Sequence, residues 1–247
     1  ENISKLYSAG ASQPIIQAPI VGAHPLGISK GLMVYFGTGK YIETSDTVKN
    51  NQSTQTFYGI WDKNTTPATT LTNRTTLLQQ EILSEVNNYR AVSNYQVDWN
   101  RHNGWYINLT QGEKTYSDPV LRNGRIIFST VIPSASNAAI SCTGDAATSW
   151  LMELDAANGG RLGISPFDIN GDYYFDSNDY ITFSETVNGQ TVSKSAPPGG
   201  MKSPVGAMAA PTILTTQGGD KEVKILSGTN GMTSVTENPG PSTRGRT

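Results

Sequence analysis

The sequence predicts an all-β chain built as a β-propeller. Apolar runs are short, rich in β-branched and aromatic residues, and bounded by Gly, Asn, Asp and Pro. Helical periodicity is scarce. A weak unit recurs along the chain: a small or acidic residue, Pro with β-branched residues, a turn, then an apolar strand.

The first unit leads from Ala18-Pro19-Ile20-Val21 into the run Gly31–Phe36. The second leads from Asp118-Pro119-Val120-Leu121 into Arg125–Ile132, and the third from Ala210-Pro211-Thr212-Ile213 into Val223–Leu226. Proline is tolerated at the first residue of a strand, where no ladder donor is needed, and small residues there suit a crowded centre. Trp105–Leu109, Ser149–Leu154 and Pro211–Thr215 are further strands. Leu77–Val86 reads equally as a helix or a long strand. Unit starts lie about 100 and about 92 residues apart, and a blade fills about 40–50, so each interval is expected to hold about two blades. The chain then carries about four blades, near the lower limit for a closed ring, and is expected to be part of a larger propeller. The alternative is an irregular β-sandwich. The propeller segment is assigned to residues 1–235 and a Pro/Gly/Ser-rich tail to 236–247. Thr44–Thr56 and Lys63–Arg74 read as surface loops and Pro197-Pro198-Gly199-Gly200 as a turn. The opening Glu1-Asn2-Ile3-Ser4 reads as the interior of a longer polypeptide, a fragment or processed product.

Of the 247 residues, 36% are hydrophobic and 15% charged, both low for a cytoplasmic enzyme, with Thr, Ser, Asn, Gln and Gly filling the balance. This suits a secreted or surface β-protein. A net charge of −2 points away from nucleic acid. No apolar run is long enough to span a bilayer. The single cysteine, Cys142, is read as a buried small apolar residue.

Residues 168–179 read Asp-Ile-Asn-Gly-Asp-Tyr-Tyr-Phe-Asp-Ser-Asn-Asp. Asp168, Asn170, Asp172, Asp176 and Asp179 fall at positions 1, 3, 5, 9 and 12 of a calcium loop, and Tyr174 at position 7 would offer its backbone carbonyl. Calcium is a hard ion that takes six to eight oxygens, and a curling loop presents alternate side chains inward. Four carboxylates this close would repel one another without a cation. Two features depart from the pattern. Tyr173 stands at position 6, where glycine makes the sharp turn, and Asp179 replaces the longer glutamate. The competing reading is an acidic surface turn. The loop is expected to be an insertion at 166–183 that binds Ca2+.

Several segments together resemble the C-terminal domain of the PilY family of type IV pilus tip and biogenesis proteins. They are Val34-Tyr35-Phe36-Gly37-Thr38-Gly39-Lys40-Tyr41, Gly104-Trp105-Tyr106-Ile107-Asn108-Leu109 ahead of Asp118-Pro119-Val120, Asn123-Gly124-Arg125-Ile126-Ile127-Phe128, Ser149-Trp150-Leu151-Met152-Glu153-Leu154-Asp155-Ala156, and the ending Gly245-Arg246-Thr247. The resemblance covers almost the whole chain and lies in order and spacing rather than in any one motif. It implies a modified β-propeller and a calcium site at Asp168, Asn170, Asp172, Asp176 and the Tyr174 carbonyl, with Asp179 outside the family pattern. It implies a place outside the cell, at the pilus tip or bacterial surface, in pilus assembly, control of retraction, and adhesion with twitching motility. The implied partners are minor pilins or the pilus tip, a host or abiotic surface, and the N-terminal portion of the same parent protein. The family's von Willebrand A-like region is absent from this sequence, and no Arg-Gly-Asp triplet occurs.

Catalysis is poorly supplied. His24 and His102 each stand in a turn context, and no Gly-x-Ser-x-Gly or phosphate loop occurs. Leu154-Asp155-Ala156-Ala157-Asn158-Gly159-Gly160-Arg161 resembles the turn of quinone-enzyme propellers, but no docking Trp follows it. Thr143–Trp150 is a near miss to a sialidase Asp-box. Tyr41, Tyr58 and Trp61 read as exposed aromatics capping blade edges. A non-enzymatic protein is therefore expected, with a propeller enzyme, either a quinone-dependent dehydrogenase or a glycan hydrolase, as the alternative.

Overall fold

A computed structural model of the chain describes residues 4–47, 53–65, 70–134, 147–187 and 189–240. Cys142, the first half of the Asp-box-like stretch and the Gly245-Arg246-Thr247 ending lie outside the described residues. In chain order the strands begin with β1 (Ile20–Ala23), β2 (Leu32–Gly37), β3 (Thr56–Asp62), β4 (Leu78–Gln80), β5 (Ile82–Val86) and β6 (Tyr89–Val92). Next come β7 (Gly104–Asn108), β8 (Lys114–Thr115), β9 (Val120–Arg122), β10 (Arg125–Val131) and β11 (Trp150–Asp155). The last are β12 (Ile181–Val187), β13 (Gln190–Ala196), β14 (Gly200–Lys202), β15 (Thr212–Thr215), β16 (Glu222–Gly228) and β17 (Gly231–Glu237). Helical residues are confined to short 3-10 turns, and no helix among the described residues is long and apolar enough to cross a membrane.

Each Pro-led segment opens a sheet. Ile20 pairs with Tyr35, Leu121 with Ile126, and Ile213 with Lys224, all antiparallel. From these starts run the meanders β1-β2-β3-β7, β9-β10-β11-β14 and β15-β16-β17. The first strands of neighbouring sheets converge. The Ala18 amide donates to Asp118 Oδ1 at 2.8 Å, and a Cβ on Gly22 would meet Leu121 Cδ2 at 2.4 Å. The tight approach falls at Gly22, whereas the first residues of the three units, Ala18, Asp118 and Ala210, are exposed and fill no crowded centre.

The expected two blades per interval are not found. Each interval holds one meander, and the surplus length goes into insertions. β4 adds to β7 in parallel, β6 and β5 extend the second sheet beyond β14, β8 pairs with β10, and β12–β13 is a separate hairpin. Among the described residues the chain forms four sheets, three of them opened by a Pro-led strand and the fourth being the β12–β13 hairpin. Spacing alone misleads because an inserted strand takes up as much chain as a blade strand. Leu77–Val86 is neither a helix nor one long strand: it divides at Glu81 into β4 and β5, which join different sheets.

Period-two alternation on β10 and β11 explains the stacking. Ile126, Phe128, Trp150, Met152 and Leu154 face the first sheet, where they join Met33, Tyr35, Phe57, Trp105 and Ile107 in the largest core. Ile127 and Leu151 face the third sheet and join Phe167, Met208 and Leu226. The second sheet is thus covered on both faces, which is why β10 is buried throughout. Phe57 and Phe128 stack at 3.9 Å across the first interface. Full burial of side chains this large contributes about 1.5–3 kcal/mol each. Tyr58, expected to be exposed, is fully buried against Phe36. The Leu154–Arg161 turn does receive a tryptophan, but from the first sheet. The Trp105 ring fills the place a Cβ on Gly159 would take, 2.1 Å away, and its Nε1 donates to Ala156 O at 3.1 Å. β17 continues through Glu237, and Asn238 and Pro239 remain docked through their carbonyls on Arg125.

Candidate metal loop and the charged interface beside it

The acidic loop leaves β11 along the outer edge of the third sheet. Phe167 is buried in the second core and bridges Glu237 antiparallel, and the Asn238 amide donates to Pro166 O at 2.9 Å. Asp168 therefore follows directly from an anchored residue. The far end closes on a 3-10 turn, Ser177–Asp179, capped by Asp176 and Asp179 in reciprocal hydrogen bonds. β12 then starts at Ile181 and packs under the hairpin with Phe183 and Ala196.

Inside the loop the predicted ligands have distinct duties. Asp168 accepts from the Gly171 amide at 2.7 Å and the Tyr173 amide at 3.0 Å. Asn170 Oδ1 accepts from the Asp172 amide at 3.0 Å, and Asn170 Nδ2 donates to Asp172 Oδ2 at 2.9 Å. The Tyr174 amide donates to Asp172 Oδ1 at 2.8 Å. Asp176 Oδ1 accepts from the Asn178 amide at 2.7 Å. Asp179 is fully buried and accepts from the amides of Ile169 at 2.7 Å, Asn170 at 3.4 Å and Asp176 at 3.1 Å. It is the clamp that joins the two halves of the loop. Tyr173 adopts φ +64°, the left-handed turn that glycine usually makes at position 6, so the backbone bends there in spite of the side chain. Tyr173 and Tyr174 are exposed, and Lys221 lies 5.2 Å from the Tyr173 ring.

The donor set is all oxygen, the chemistry a hard divalent cation takes. Asp168, Asn170 and Asp172 are brought together in one turn, and Asp176 with Asp179 in the other. Among the described residues, no three His, Cys, Asp or Glu side chains are drawn around one centre. The loop is closed instead on its own amides.

Beside the loop lies a buried charge network that the sequence reading missed. Arg125 donates to Glu153 at 3.0 Å and to Glu222 at 2.8 Å. Lys224 pairs with both Glu153 and Glu237, and Arg122 with Glu222. The members come from β9, β10 and β11 on one side and β16 and β17 on the other, so the network spans the second interface. Burial pushes the Glu153 carboxyl up, but Lys224 and Arg125 outweigh it and hold it below the usual carboxylate range. Burial and the neighbouring Glu153 push Glu237 well above that range. The signal was present as Glu153 and Lys224 inside otherwise apolar strands. Of the histidines, His24 is packed between Trp61 and Trp99, each 4.4 Å away, and His102 Nδ1 accepts from the Asp98 amide at 3.1 Å in a turn.

A family profile described as the PilY1 beta-propeller domain matches residues 2–95. The type IV pilus biogenesis factor PilY1 of Pseudomonas aeruginosa is 32% identical over 98% of this chain. A PilY1 homolog of Xylella fastidiosa is 32% identical over 61% of it. The crystal structure of the Pseudomonas aeruginosa PilY1 C-terminal domain superposes with a TM-score of 0.70 and 28% identity, covering 95% of this chain. The chain belongs to the PilY family. It matches part of the C-terminal propeller domain and spans 21% of the length of the Pseudomonas relative and 46% of the solved PilY1 chain. The sheets described above are therefore blades of a PilY1-type propeller.

Proposed function

We propose that this segment is the calcium-binding propeller portion of a type IV pilus biogenesis factor, acting without catalysis. The relatives carry that biogenesis role in their names. The reading places it outside the cell, at the pilus tip or bacterial surface. There it supports pilus assembly, control of retraction and surface adhesion, with minor pilins and the N-terminal portion of its parent as partners. One observation carries the calcium half: oxygen donors at Asp168, Asn170, Asp172, Asp176 and the Tyr174 carbonyl share a loop anchored at Phe167 and clamped by Asp179. When bound, the ion neutralises the loop's carboxylates and orders their turn. Isothermal titration of calcium into the wild type and Asp172→Ala tests it. Binding is expected in the first and lost in the second, and equal binding in both overturns the assignment.

A further inference from the structure

Among the described residues the third blade is one strand short. In the first two Pro-led sheets the third strand is followed by a fourth, β7 on β3 and β14 on β11. In the third sheet, β17 holds that third position and, among the described strands, pairs only with β16. The Asn238 amide points outward to Pro166. Backbone groups alternate along a strand, so Thr236, Ser234 and Met232 also turn theirs outward, while Glu237, Val235 and Thr233 serve the β16 ladder. Phe167 occupies the outer edge only at the Glu237 end. Met232 and Ser234 are exposed. The free stretch accommodates a strand as short as β14, which has three residues.

We propose that the outer edge of β17 accepts a β-strand from a part of the parent polypeptide outside these 247 residues, completing the third blade beside the acidic loop. An open edge is a template for strand addition, and main-chain hydrogen bonds supply its affinity. The occupant is argued from length. Relatives extend far beyond the matched segment, and a strand on the same polypeptide competes at the high effective concentration of a tether. The proposal rests on the family assignment and not on calcium.

The test uses the full-length parent protein. Hydrogen exchange at Met232 and Ser234 is expected to be at least about a hundred-fold slower than at the exposed Gly218–Gly219 turn. Exchange as fast as in that turn overturns the proposal. A photoreactive amino acid is then placed at position 234 in the full-length protein by genetic encoding. A cross-link to a peptide of the same polypeptide outside this segment supports the proposal. A cross-link within the segment, or to a second copy as a doubled mass, overturns it. Neither readout needs calcium, so failure here and failure of the calcium titration are separate results.

Discussion

Asp179 accepts three amides from inside the fold, whereas Asp172 stands on the exposed rim of the same loop. Spacing alone makes them equivalent ligands. Their surroundings give them different work. Asp179→Ala leaves buried amides unpaired and is expected to cost about 1–3 kcal/mol, read by thermal unfolding in chelator. Asp172→Ala in the same chelator is expected to stay within about 0.5 kcal/mol of wild type, as exposed substitutions do. Equal destabilisation by the two would show that Asp179 is not the clamp. The oxygen spacing of the candidate ligands was legible in sequence because side chains alternate along a curling loop. The clamp was not, because it depends on which carboxylate the adjoining blade covers.

At the scale of the loop as an element, its large side chains do not nucleate packing. Tyr173 and Tyr174 are exposed, and the loop is tethered through Phe167 and Ile181, which belong to separate cores. Removing calcium is therefore expected to raise hydrogen exchange within 166–183 only. Exchange in Gly31–Phe36 and Arg125–Ile132 should hold, since β2 and β10 are each hydrogen-bonded on both sides and Met33, Tyr35, Ile126 and Phe128 pack between the first two sheets. Loss of protection there as well would show that the ion holds the whole propeller. The Leu154–Arg161 turn gives a second lesson at this scale. Its tryptophan was sought further along the chain, but Trp105 comes from the preceding blade. A motif on one strand can be completed by a partner far away in sequence.

Across the whole molecule, the second blade is held to the first by apolar stacking and to the third by a smaller apolar core together with the buried charge network. Glu153 accepts from Arg125 and Lys224, so Glu153→Gln strands buried cations and is expected to cost about 3–5 kcal/mol. Glu237, with its carboxyl raised by burial and by Glu153, holds a proton above the ordinary carboxylate range. Below that raised value Glu237→Gln replaces a protonated acid by a neutral amide, and there it is expected to cost less than Glu153→Gln. Equal loss in both variants would sink this assignment of the proton. pH acts on the two groups with opposite sign. In Glu113, burial raises the carboxyl but Arg90 outweighs it, and like Glu153 it ends below the ordinary value. Both contribute stability that is complete above about pH 4.3, the ordinary value, and is lost as pH falls through their lower folded values. Glu237 favours the fold at low pH, and its contribution fades as pH rises through its raised value. Melting temperature should therefore drop steeply in strong acid, with a shallower decline on the alkaline side that Glu237→Gln removes.

The sequence by itself determined the strands, the Pro-led starts of the blades and the oxygen ladder of the loop. Each of these follows from local rules: β-branched runs, proline at a strand start, and alternation of side chains. Only the tertiary structure decided how many blades those strands make, which tryptophan docks on Gly159, and that Arg125, Glu153, Lys224 and Glu237 form one network. Strand pairing joins segments far apart in the chain, so inserted strands such as β5, β6, β12 and β13 look in sequence like blade strands. Burial follows from that pairing. It turns charged residues in apolar runs into an interface, and makes one aspartate of the loop a buried clamp while another stays on the exposed rim.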